Sequence, residues 1–302
     1  MINFHKYSFL DCKRLKGYLE NKNAYLEDYN PVWLFIYSDY YKPEISFGNE
    51  FIFIRYNIDR VGKVYYPPIK VQGGYLNMTL LEMEESLPNE NDVLNLGPIL
   101  DSDVNMYKEF SIKSYENRDL DTYIYSLDKL RKLSTHSKKY KASAKKFIKE
   151  HKNLFLKRAK KEDFTAILEF ISRIRENEDE LDFYPKLNAL KQAMDHLYEF
   201  DLVGAILQDE ENIYGFIIGD VLDNCFYYHL LFYDKTIEGV LPVLISESAK
   251  HAHTMARFAS FGKDNGNKIR RELYESLEPI RLEKYNANFL LSGSENYEKR
   301  KK

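Results

Sequence analysis

From Ser8 onward the polar and apolar positions follow a helical rhythm. Ser8 and Asp11 stand at capping-box spacing, with Asp in the usual place of Glu or Gln, ahead of Leu15, Tyr18 and Leu19 at helical intervals. The period then shortens. Trp33 to Tyr37 and Phe51 to Tyr56 are aromatic, β-branched runs that read as strands, as does Lys63 to Tyr66, which stops at Pro67-Pro68 because proline cannot donate to a ladder. Gln72-Gly73-Gly74 marks a turn, Met78 to Leu87 a helix with an acidic face (Glu82, Glu84, Glu85), and Asp92 to Leu96 a strand ended by Gly97-Pro98. The centre is helical, over Ser126 to Leu133, Ser137 to His151, Lys161 to Glu176 and Lys186 to Glu199.

The last third returns to the mixture. Asp201 to Gln208, a polar turn at Asp209 to Asn212 and Ile213 to Leu222 read as a β-hairpin, followed by a strand at Cys225 to Tyr233. A helix follows from about Gly239 to His253, with Pro242 tolerable in its first turn, then a short strand at Ala256 to Phe261, a helix from about Gly266 to Ser276 and a strand near Ile280 to Tyr285. Two strand-and-helix mixtures around a helical centre predict an α/β (α+β) fold of two lobes, residues 1–125 and 126–302.

Composition supports a folded chain: 44% of the 302 residues are hydrophobic and 15% aromatic, which excludes the disordered class. Two cysteines, Cys12 and Cys225, make neither a disulfide framework nor a CxxC metal site; both read as buried small apolar residues in a reducing compartment. The apolar runs are far shorter than the roughly 20 residues a spanning helix needs, and the first residues lack a signal-peptide pattern. The expectation is a cytoplasmic protein, with peripheral membrane contact left open.

Charge changes the picture most. The formal net charge of −3 is a cancellation, because Lys129 to Lys161 carries a local +13 and the remainder −16. Within Ser137 to His151, Tyr140, Ala144, Phe147, Ile148 and His151 form one stripe, surrounded by Lys138, Lys139, Lys141, Lys145, Lys146 and Lys149. A lysine-rich face can be merely solvated. Set in an otherwise acidic chain, it also makes a field that attracts polyanions such as tRNA, anionic lipid or a nucleotide cofactor. Lys138, Lys139, Lys141 and Lys145 are therefore candidate anion-binding groups.

Other chemistry is sparse. GxxxxGK[ST], GxGxxG and GxSxG are absent, which disfavours P-loop, Rossmann and nucleophile-elbow chemistry. The best phosphate candidate is the strand-to-helix turn Asp234 to Gly239, with Thr236 and Gly239, although an ordinary turn explains the same residues. His251 and His253 point apart on a helix, there is no HExxH, and no metal site is expected. His229 lies mid-strand among aromatics, where a satisfied core histidine competes with a general base. Glu176 to Asp182 reads as an exposed acidic loop.

The C-terminal residues are more specific than their periodicity. Gly215-Phe-Ile-Ile-Gly-Asp220-Val-Leu222, Tyr228-His229, Asp234, Gly239, Asp264-Asn-Gly266, Arg271, Ser276, Pro279 and Lys284-Tyr285 resemble, in order and spacing, the DUF2156 family, related to the C-terminal domain of phosphatidylglycerol lysyltransferases. Tyr123-Ile-Tyr125, Leu130, Leu133-Ser134 and the lysine-rich helix extend the likeness upstream. Where the family has Glu-Lys-Ala this chain has Leu231-Phe232-Tyr233, and where it has Asn-Arg-Glu it has Ser260-Phe261-Gly262. The resemblance implies two tandem GNAT-like (Gcn5-related N-acetyltransferase) lobes and transfer of an acyl or aminoacyl group, from acyl-CoA or aminoacyl-tRNA, to an amine or hydroxyl. On that reading Asp264 caps the helix at Gly266, Arg271 binds an anionic group, and Asp220 or His229 is the nearest acid/base. The alternatives are a plain turn at Asp264, an Arg271–Glu275 pair, and a binding or regulatory protein that kept the scaffold and its basic surface for tRNA, a CoA ester or an anionic lipid headgroup.

Overall fold

The computed structural model describes residues 2–19, 27–58, 62–87, 93–108, 113–177 and 180–291, whose strands form two mixed sheets. The strands are β1 His5–Lys6, β2 Glu44–Phe47, β3 Phe51–Ile58, β4 Gly62–Tyr65, β5 Ile69–Lys70, β6 Val93–Leu100, β7 Lys113–Glu116, β8 Thr122–Ser126, β9 Phe155–Arg158, β10 Val203–Gln208, β11 Ile213–Leu222, β12 Cys225–Tyr233, β13 Phe258–Lys263, β14 Arg281–Glu283 and β15 Tyr285–Leu291. The helices are α1 Phe9–Leu19, α2 Pro31–Ile36, α3 Ser38–Tyr41, α4 Leu76–Glu85, α5 Val104–Lys108, α6 Leu127–Leu130, α7 Leu133–His136, α8 Lys141–Glu150, α9 Phe164–Ile174, α10 Glu180–Asp195, α11 Val240–Ala252 and α12 Lys268–Ser276.

One sheet runs β1-β2-β3-β4-β6-β15-β7, with β5 also on β3; the other runs β14-β8-β13-β12-β11-β10-β9. Most pairs are antiparallel, but β4 runs parallel to β6 and β12 to β13. The 125/126 division falls inside β8, which belongs to the second sheet, and β15 crosses back to lie between β6 and β7 of the first.

Both faces of the second sheet are covered, which explains the nearly continuous apolar runs of β11 and β12. Phe216, Ile218 and Phe232 face a core shared with α1, α2, α9 and α10, while Ile217, Phe226 and Tyr228 face α8 and α11. The core under α1 and α2 also takes in Ile45, Ile52, Ile54 and Tyr56 of the first sheet, so one apolar layer joins the two lobes.

Trp33 to Tyr37 is not a strand: the Asn30 Oδ1 accepts the Val32 and Trp33 amides at 2.9 and 3.0 Å, Pro31 occupies the first turn, and the run folds as α2. Gly97-Pro98 does not end β6, because it sits at the register shift against Asn286 to Asn288, where proline's missing N–H is tolerated. Glu84 lies on the buried side of α4. Glu180 to Asp182 opens α10 and is not loop. The Ser126 to Leu133 helix is the short pair α6 and α7, and α8 begins only at Lys141. The Ser8–Asp11 box is present, with the Ser8 amide donating to Asp11 at 2.9 Å. Asp92 lies outside the described residues.

Candidate functional site

The site starts from a strand irregularity. Ile218 pairs with Leu230 but Gly219 with Tyr228, so His229 is an extra residue that bulges β12. Gly219 is required there, since a Cβ would meet the Tyr227 carbonyl oxygen at 2.2 Å and the Phe226 ring at 2.7 Å. Just before the bulge β12 leaves its parallel neighbour. Cys225, Phe226 and Tyr227 pair with Phe258, Ala259 and Ser260, and there the pairing stops. At the apex the Tyr228 and Phe261 rings stack, centroids 4.2 Å apart.

The gap opens into a cavity of about 790 Å³. Tyr228, His229, Leu231 and Tyr233 of β12 and Phe261 and Lys263 of β13 line it on one side. Trp33, Tyr37, Tyr40 and Tyr41, from α2, α3 and their junction, add an aromatic wall, anchored where the Tyr37 hydroxyl donates to the His229 carbonyl at 3.1 Å, and α12 contributes Ile269, Arg270, Leu273 and Tyr274. Five cations line the space, Lys139, Lys186, Lys235, Lys263 and Arg270, against three carboxylates, Glu27, Glu176 and Glu272. Both lobes therefore build it.

Two carboxylates of the 3-10 turn Glu27–Tyr29 meet the end of β13. Asp28 takes a 2.5 Å ion pair from the buried Lys263 and a 2.7 Å bond from the Tyr66 hydroxyl. Glu27 lies directly on Gly262, whose φ is +76°; a Cβ there would sit 1.4 Å from the Glu27 Oε2. The space that a side chain at 262 would need is filled by a carboxylate from the other lobe. Burial, helped by the charge of Asp28, raises the Glu27 pKa to about 8 against the opposing pull of Lys263 and Arg270.

The sequence candidates divide. Asp220 and His229 come together, with the His229 Nε2 2.8 Å from Asp220 Oδ1 and both side chains buried. The same Oδ1 accepts from Asn30 Nδ2 at 2.9 Å, so the pair also brackets the start of α2. Asp264 and Arg271 are joined to each other and stand outside the cavity lining. Arg271 donates to Asp264 through Nε at 2.9 Å and Nη2 at 2.8 Å and to Asp119 at 2.7 Å, while Tyr123 and the Gly266 amide also donate to Asp264. Burial works to raise the Asp264 pKa, but these bonds outweigh it and hold the carboxylate below its usual range. Asp264 is not the helix cap; Asn267 is, accepting the Arg270 amide at 3.0 Å. The Glu275 partner is Arg118, not Arg271.

Of the four candidate lysines, Lys139 lines the cavity, whereas Lys138, Lys141 and Lys145 are exposed at or beside α8. Thr236 is tied into its own turn, its amide and hydroxyl both donating to Asp234, and Gly239 is buried, with Ser143's carbonyl oxygen 2.4 Å from where a Cβ would stand. Sequence reasoning missed Glu27, Lys263 and Arg270. Its one available signal was Gly262 inside a strand pattern, which marks a close approach. No group of histidine, cysteine or carboxylate side chains that could hold a metal occurs among the described residues, and no helix there is long and apolar enough to cross a membrane.

No curated protein matches the chain. Among solved structures it is similar to a conserved protein of unknown function from Bacteroides thetaiotaomicron, with a TM-score of 0.82 at 18% identity over 96% of this chain and 100% of that one. It is also similar to L-PGS from Bacillus licheniformis, with a TM-score of 0.62 at 13% identity over 94% and 92%, and to FemX, with 0.64 at 9% over 96% and 98%. At these identities the likeness concerns the fold, two mixed sheets flanked by helices in the GNAT-like manner that the resemblance implied. The profile of the family described as "Phosphatidylglycerol lysyltransferase, C-terminal" matches residues 22–296. With most of its length inside that match, the chain belongs to the phosphatidylglycerol lysyltransferase C-terminal (DUF2156) family.

Proposed function

We propose that the chain is an acyltransferase that moves an activated acyl or aminoacyl group, from a coenzyme A ester or an aminoacyl-tRNA, to an amine or hydroxyl acceptor. The observation that carries this reading is the parting of β12 and β13 at a cavity in whose lining cations outnumber carboxylates. Strand edges that leave each other expose N–H and C=O groups that a slender, amide-bearing donor arm can pair with, as an added strand would. Arg270 of α12 lines this cavity and would oppose the negative charge that develops on the oxygen of the attacked carbonyl, while Lys263 is held by Asp28. Lys139 and Lys235 at the cavity, with Lys138, Lys141 and Lys145 outside it, suit the phosphates of either donor.

The test combines binding and turnover. A thermal-shift series with acetyl-CoA, longer acyl-CoAs and aminoacyl-tRNA should reveal a donor that raises the melting temperature by mass action. That donor, radiolabelled in the acyl group, should then label an amine or hydroxyl acceptor. Stabilisation without transfer would favour the binding-protein alternative, which the structural employment of Asp264 and Arg271 supports. If no donor stabilises the chain, the transferase reading fails.

A further inference from the structure

We propose that Glu27 is the catalytic base of this site, the group that takes the proton from the attacking amine or hydroxyl. The inference rests on the transferase reading and adds the residue that would perform its proton transfer. Among the cavity-lining carboxylates, Glu176 and Glu272 are exposed on its rim, whereas Glu27 is half-buried. The carboxylate oxygen Oε2 occupies the space that a Cβ at Gly262 would take. His229, the other candidate base, has its Nε2 held at 2.8 Å by the buried Asp220, whose same oxygen also accepts from Asn30, so that nitrogen is committed within the core.

The surroundings set the proton affinity. Asp28 stands beside Glu27 on its own turn, Lys263 faces it from β13, Arg270 and Tyr274 from α12, and Tyr37 and Tyr41 from the aromatic wall. Burial and Asp28 push the carboxyl up while Lys263 and Arg270 restrain it, leaving it near neutrality, where a base that must both accept and return a proton is most effective. The chemistry balances without a further reagent. The acceptor nitrogen or oxygen forms a bond to the acyl carbon, its proton passes to the Glu27 carboxylate, the bond from acyl carbon to the donor's sulfur or oxygen breaks, and the protonated Glu27 returns that proton to the leaving thiolate or alkoxide.

Glu27→Gln keeps the shape and removes the base. With the donor found by thermal shift, we expect the variant to keep donor stabilisation within a few degrees of the wild type, and to lose about 100-fold or more in kcat, the scale of a general base. The wild-type kcat should rise with pH through an inflection between pH 7 and 9, and Glu27→Gln should lack it. Glu27→Asp should recover part of the rate with the inflection retained. A Glu27→Gln enzyme with kcat within threefold of wild type, or with the same inflection, overturns the assignment and leaves the transferase reading intact. A wild-type chain that transfers from no donor overturns the parent reading, and the base assignment falls with it.

Discussion

Asn30 Nδ2 donates to Asp220 Oδ1 at 2.9 Å across 190 positions of the chain, while the Asn30 Oδ1 caps α2. One carboxamide thus starts a helix of the first lobe and holds it to the bulged strand pair of the second. Replacing it with alanine removes the cap and takes a donor from a buried carboxylate. The expected loss is about 2–4 kcal/mol, more than a cap alone provides. Urea denaturation of Asn30→Ala checks it, and a loss under 1 kcal/mol would mean that the bond between lobes adds little.

The Asp264–Arg271 clamp predicts an acid dependence. The folded-state pKa of Asp264 is depressed below 3.8, so its contribution to stability is present above that value and lost as pH falls through the folded one. Asp264→Asn should be destabilised by roughly 2–4 kcal/mol at pH 7, with the gap to wild type narrowing in melts below about pH 4. An equal gap at both pH values would contradict the assignment.

Glu27 has the opposite sign. Its pKa is raised from 4.5 to about 8, so the folded state holds the proton more tightly, and the stability this provides is complete below pH 4.5 and lost as pH rises through 8. Glu27→Gln should therefore gain in melting temperature relative to wild type between pH 5 and pH 9. A difference that does not change with pH would count against the raised pKa, whatever the activity assays give.

Charge reversal separates the lysines. Changing Lys138, Lys141 and Lys145 to glutamate should leave stability within about 0.5 kcal/mol, because all three are exposed. It should also flatten the salt dependence of polyanion binding by about 0.7–0.9 in slope for each phosphate that is no longer neutralised. Filter binding of tRNA across a salt series measures this; an unchanged slope would make that face merely solvated.

Neither thiol should react in the native protein. Burial pushes the Cys12 thiol up to about 12, with the Asp220 charge adding to it, and the Cys225 thiol rises for the same reasons. Ellman titration should register both only in denaturant. Rapid labelling in native buffer would show one of them open to solvent.

Gly219 tests the bulge. Gly219→Ala forces a Cβ against the Tyr227 carbonyl and the Phe226 ring and should cost about 1–3 kcal/mol. Because the strain lies where β12 leaves β13, donor-induced stabilisation should weaken as well. A variant that is destabilised yet binds donor normally would uncouple the bulge from the cleft.

Local sequence was sufficient for β11 and β12, whose bounds Ile213–Leu222 and Cys225–Tyr233 agree with the apolar runs and their turns. There most residues are buried on one face or the other, so composition and conformation carry the same information. It failed at Trp33 to Ile36, where strand-like aromatics became helix because Asn30 and Pro31 dictate a helix start and the apolar side chains are buried either way. The family likeness was legible from Gly215 to Tyr285, yet several of its residues have structural duties: Arg271 and Asp264 hold each other, and Asn267 took over the cap.

By itself the sequence determined the two-lobed α/β plan, the position of the basic helix and the inertness expected of the cysteines, because periodicity, turn residues and charge act over short stretches of chain. The cavity was decided only in three dimensions. It needs a one-residue register slip in β12, a parallel pair that separates after Tyr227, and a carboxylate brought from residue 27 to lie on Gly262. Those relationships arise from packing between lobes, and no local pattern encodes which distant side chain will fill the space a glycine leaves.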